Sequence, residues 1–107
     1  MLNVANIPSP LMKKRIDNKL DSFCQENDIK LLAIFGSFAT GKQQKKSDVD
    51  ILVQFETDKE KSLLNLVRLQ FKLQRILGRK VDLVTTESLD QYIKDNILNN
   101  MRVIYEG

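Results

Sequence analysis

The sequence predicts a small α/β chain of the α+β kind, a mixed β-sheet covered by helices. Three observations carry that expectation. Residues 31–35 and 81–85 are apolar runs of strand length. Residues 48–55 alternate, with Val49, Ile51 and Val53 on one face. Residues 11–24 and 63–77 instead repeat apolar side chains at helical spacing. A chain of 107 residues has room for one core, so 1–107 is expected to be a single domain.

The elements follow in order. Ser9-Pro10 reads as a helix start, with Ser9 as cap and Pro10 where its missing N–H costs nothing. Leu11, Ile16, Leu20, Phe23 and Cys24 carry that helix to about Asp28, with Cys24 in the core. Leu31 to Phe35 is a buried strand stopped by Gly36. Thr40 to Ser47 is polar and lysine-rich, a loop or a loop with one helical turn. Asp48 to Phe55 is the second strand, and a long helix from about Glu60 to Leu77 closes on Gly78. Val81 to Thr85 is the third strand. Ser88-Leu89-Asp90-Gln91 has the form of a capping box opening a helix with Ile93, Ile97 and Leu98, and Val103 to Tyr105 makes a last strand.

Composition narrows the chemistry. The chain has no histidine and one cysteine. That excludes an internal disulfide, a multi-thiolate zinc site and any Ser-His or Cys-His nucleophile pair. Carboxylates, lysines, hydroxyls and metal remain. A net charge of +3 is weak evidence for any partner. No export signal is visible and no segment approaches a membrane span, so the chain is expected in the cytoplasm.

The distinctive segment is Gly36-Ser37 after a strand, followed by Ser47-Asp48-Val49-Asp50-Ile51-Leu52-Val53. Alternation puts Asp48 and Asp50 on one face of the strand. Two carboxylates so close repel, and shielding from water would call for a cation. Hard oxygen ligands suit Mg²⁺, which commonly takes its other ligands from phosphates. Asp82, between Val81 and Leu83, joins them if its strand lies beside the second. Glycine lets phosphate oxygens approach the backbone, where N–H groups and the Ser37 hydroxyl can hold them. Singly, these features are ordinary: a solvated strand edge, a paired charge, a turn. Together and in this order they favour phosphoryl or nucleotidyl transfer.

Gly36-Ser37-Phe38-Ala39-Thr40-Gly41, with the later Asp48-Val49-Asp50 and Val81-Asp82-Leu83-Val84, resembles the signature of the minimal nucleotidyltransferases, the smallest members of the DNA polymerase β-like superfamily. The resemblance covers most of the chain and implies the nucleotidyltransferase fold. It implies Mg²⁺ on Asp48 and Asp50, Asp82 as a further ligand or an aid to deprotonating the acceptor, and the triphosphate on Gly36 and Ser37. The family usually has arginine where this sequence has Thr40; Lys42 is the candidate substitute.

The resemblance also implies an antitoxin paired with a HEPN ribonuclease toxin. It would transfer AMP from ATP to a tyrosine hydroxyl of that toxin and form a hetero-oligomer with it. The alternatives are an inactive fold that neutralises the toxin by contact, and a small-molecule nucleotidyltransferase. The chain shows no acceptor-presenting domain, which argues against the latter. The long helix has an apolar arc of roughly 240°, more than packing on a sheet needs. The excess is either wrapped by the first helix or binds protein, and Gln70 and Gln74 within it need polar partners if buried. Lys42, Lys45 and Lys46 flank the phosphate turn without interleaved aromatics, so no direct nucleic-acid binding is expected.

Overall fold

A computed structural model describes residues 1–59 and 61–107. The elements are α1 (Ile16–Glu26), β1 (Ile29–Phe35), α2 (Ser37–Thr40), β2 (Val49–Phe55), α3 (Leu63–Leu77), β3 (Val81–Thr85), α4 (Gln91–Asn100) and β4 (Arg102–Glu106), with short 3-10 turns at Val4–Asn6, Ser9–Leu11 and Thr86–Ser88. The predicted α+β class and element order are both present.

The strands form one mixed sheet in the order β3-β2-β1-β4. β1 is antiparallel to both β2 and β4, and β2 runs parallel to β3. A parallel pair needs a crossover, and α3 supplies it. Val49, Ile51 and Val53 of β2 join Leu32 and Ile34 of β1 in one core with Leu20 and Phe23 of α1 and Leu69, Leu73 and Leu77 of α3. Alternation therefore turns Asp50 to the sheet face opposite these helices.

The first helix begins later than expected. Ser9-Pro10-Leu11 is only a 3-10 turn with no side-chain cap, and α1 opens at Ile16 behind Arg15, whose φ of 66° is left-handed. Leu11 and Ile16 are both buried. Five helical residues would separate them by about 140° around one helix, so burying both requires the chain to break between them.

Two other starts differ. Ser62 caps α3, accepting a hydrogen bond from Asn65 N at 3.3 Å; the proposed start at Glu60 lies outside the described residues. Ser88 does not cap α4, because its hydroxyl donates to Thr85 O in the preceding turn. Asp90 takes the role, accepting from Ile93 N at 3.0 Å. A carboxylate two residues nearer the helix displaces the hydroxyl. At the other end of α3, Gly78 closes the helix at φ 69°, as read.

The surplus apolar arc of α3 is not wrapped by α1. Leu63, Leu64, Val67 and Phe71 are exposed, while α1 packs along the other flank. The two glutamines do find partners. Gln74 Oε1 accepts from Val81 N at 3.2 Å and Gln70 Oε1 from Leu83 N at 3.3 Å. These N–H groups point away from β2 at the sheet edge. A four-residue helical step rises about 6 Å and a two-residue strand step about 6.6 Å, so the spacings match.

Candidate active site

β2 and β3 run side by side in register, with Asp50 opposite Asp82. Phe35, the last residue of β1, pairs with Asp50 from the other side. The turn at Gly36 therefore begins beside Asp50. Its φ of 71° and ψ of −148° belong to a region essentially reserved for glycine. A Cβ there would overlap Asp50 Oδ2, so the absence of a side chain lets the turn lie against the carboxylate.

Asp48 stands just before β2 and is exposed, as is Asp82; Asp50 between them is partly buried. Burial raises the Asp50 carboxyl above its ordinary value of 3.8, and the Asp82 and Asp48 charges add to the rise. The structure thus brings the three predicted aspartates to one end of the sheet, where their charges are mutually unfavourable. Among the described residues no three acidic or thiol groups close into a ready-made metal cage. An open set of hard oxygens beside a phosphate-type turn still fits Mg²⁺ shared with substrate phosphates.

Ser37 opens the single turn of α2, so the helical turn precedes the lysine-rich loop. Ser37 and Phe38 N–H groups come before the first intrahelical hydrogen bond. Thr40 Oγ1 bonds back to Gly36 O at 3.3 Å and so tightens this turn. Lys42 is exposed just beyond it, its N–H bonded to Ser37 O at 2.9 Å.

One residue at this end escaped the sequence reading. Arg79, between α3 and β3, stacks over Phe38 at 5.2 Å and donates to Lys45 O at 3.2 Å. It clasps the loop of residues 41–48 to α2. No spacing signal links these three positions, which lie on separate segments. In the same loop, Gln43 Oε1 is buried without a hydrogen-bond partner.

A four-stranded mixed sheet with a glycine turn and acids at the ends of two adjacent strands defines the class as nucleotidyltransferase. The match to the nucleotidyltransferase domain family spans residues 16–104, and the chain belongs to that family. A Methanocaldococcus jannaschii protein, provisionally named a protein adenylyltransferase, is 43% identical over 84 residues, covering 78% of this chain and 88% of its own. The structure also resembles a chain of a toxin–antitoxin crystallised with AMP-PNP, with TM-score 0.72, 25% identity, and coverage of 85% of this chain and 73% of that one. A chain from the complex of an MNT antitoxin with the tri-AMPylated HEPN toxin of Shewanella oneidensis shares the fold at TM-score 0.66 and 21% identity, covering 90% and 74%.

Proposed function

We propose that this nucleotidyltransferase is an antitoxin that transfers AMP from ATP to a tyrosine hydroxyl of a partner HEPN toxin. The observation that carries this reading is the junction of the Gly36 turn with the paired Asp50 and Asp82. It sets the backbone N–H groups of a glycine turn beside carboxylates, the two kinds of group that nucleotidyl transfer would use for phosphate and metal. The named relative and the toxin complexes of the same fold support the acceptor class.

In this reading the N–H groups at Ser37 and Phe38 and the Ser37 hydroxyl hold the β- and γ-phosphates, with Lys42 adding positive charge. Asp48, Asp50 and Asp82 would hold Mg²⁺, which when bound neutralises phosphate charge and activates the attacking oxygen. The tyrosine oxygen bonds to the α-phosphorus, the bond from that phosphorus to the bridging oxygen breaks, and pyrophosphate leaves. Asp82, exposed at the rim, orients the incoming hydroxyl and receives its proton.

The test is the intact mass of protein that co-purifies with this chain, before and after Mg²⁺ and ATP are supplied. The reading expects gains of whole AMP units with the wild type and none with Asp48→Asn/Asp50→Asn. A tightly held partner whose mass never changes supports neutralisation by contact alone. That second reading is favoured by Thr40, which bonds within its own turn and offers no cation.

A further inference from the structure

On the helix-covered face of the sheet, opposite the face that carries Asp50, α1 and α3 flank a groove of about 890 Å³. Arg15 and Lys19 project from α1, and Lys72 and Arg75 from α3. A smaller hollow shares Asn27 and Lys72 with it and adds Arg68, so the two form one track along α3. Among the described residues Glu26 is the single carboxylate lining either hollow. Among the described residues the sole salt bridge is Lys61–Asp28, so none of these five cations is paired. Such a cluster repels itself and is complementary to a polyanion.

We propose that this track binds the phosphodiester backbone of a single-stranded nucleic acid without reading its sequence. From Asn65 to Ile76 the helix rises roughly 16 Å. At about 3.4 Å per phosphate along a stacked strand, that length meets four or five phosphates, comparable with the five cations. A compact anion would leave most of the track unused. A single flexible backbone can follow the open hollow between the two packed helices along α3. Phe23, its aromatic floor, is only 4% exposed and offers no stacking surface. Binding is therefore electrostatic and indifferent to base. An acidic protein segment fits less well, since the exposed apolar side chains of α3, Leu64, Val67 and Phe71, line neither hollow.

The proposal is independent of nucleotide transfer and is tested in EDTA, so that metal-held phosphate at the aspartates is not read. The probe is a fluorescein-labelled mixed-sequence RNA of about 20 nucleotides, followed by anisotropy between 50 and 200 mM salt. Duplex DNA of the same length and polyglutamate are the competitors. Wild-type affinity should fall with salt at a logarithmic slope of about −3. Lys72→Glu/Arg75→Glu should weaken binding at least about tenfold and flatten the slope by about 1.4. Lys19→Glu, on the opposite wall, should weaken it too, whereas Lys45→Glu/Lys46→Glu, in a loop that lines neither hollow, should change it less than about twofold. These side chains are exposed, and a circular dichroism melt confirms that each variant folds. No salt-sensitive binding at the lowest salt, an equal loss in the loop variant, or better competition by duplex or polyglutamate would overturn the proposal.

Discussion

Gly36 and Asp50 are in direct apposition: the space a Cβ would occupy at Gly36 is filled by the Asp50 carboxylate. This contact joins the Gly36 turn to the acidic strand. Gly36→Ala therefore meets two penalties, a clash and a backbone conformation that costs about 1–3 kcal/mol for a residue with a side chain. The expected result is a lower urea midpoint, with AMP transfer reduced more than the stability loss explains. Activity at the wild-type level would break the link between turn and carboxylate.

Asp50 provides a pH test. Its carboxyl is raised in the folded state, mainly by burial and then by the Asp82 and Asp48 charges. The unfolded chain therefore loses this proton at lower pH than the folded one. Above the folded value the charged group opposes folding; below 3.8 both states are protonated and the effect is gone. Asp50→Asn should accordingly be more stable than wild type at pH 7, by roughly a few tenths of a kcal/mol for a partly solvated group. The gain should vanish near pH 3, while transfer is lost throughout. Thermal melts across that range decide it.

The glutamine pair covers the edge of β3. Gln70→Leu or Gln74→Leu leaves Leu83 N–H or Val81 N–H without its acceptor, at about 1–3 kcal/mol each. Urea melts should show the loss. Gel filtration of the double variant should reveal self-association through the exposed edge.

Arg79 should act on nucleotide binding through the loop it holds. Arg79→Gln removes both the stacking on Phe38 and the hydrogen bond to Lys45 O. A stacking contribution of about 0.5–1 kcal/mol corresponds to a two- to fivefold rise in KM for ATP. kcat should stay nearly constant, and Arg79→Lys should recover part of the loss.

Cys24 should be inert. Burial, and secondarily the Asp21 charge, push its thiol up to about 12. Native protein at pH 8 should resist iodoacetamide, and urea should restore the reaction.

Much of this was legible in the residues themselves. Apolar runs at 31–35 and 81–85, alternation at 49–53 and three-to-four-residue spacing in the long helices marked these elements, because burial imposes those patterns. Gly36, Ser37, Asp48, Asp50 and Asp82 stood out through their combination and order, each being ordinary by itself. Helix starts were less legible: Asp90 rather than Ser88 caps α4, and α1 breaks between Leu11 and Ile16. Competing caps and breaks differ by small energies that packing decides.

By itself, the sequence determined the element order, the alternation that separates the acids from the core, and the exclusion of histidine and disulfide chemistry. Only the tertiary structure decided which strand lies beside which, and so that Asp82 sits opposite Asp50. It also left one flank of α3 bare, set Arg79 over Phe38, and gathered cations from α1 and α3 into one track. Local patterns report what a residue's own element requires. Contacts between distant segments depend on strand order and helix packing, which short-range periodicity does not encode.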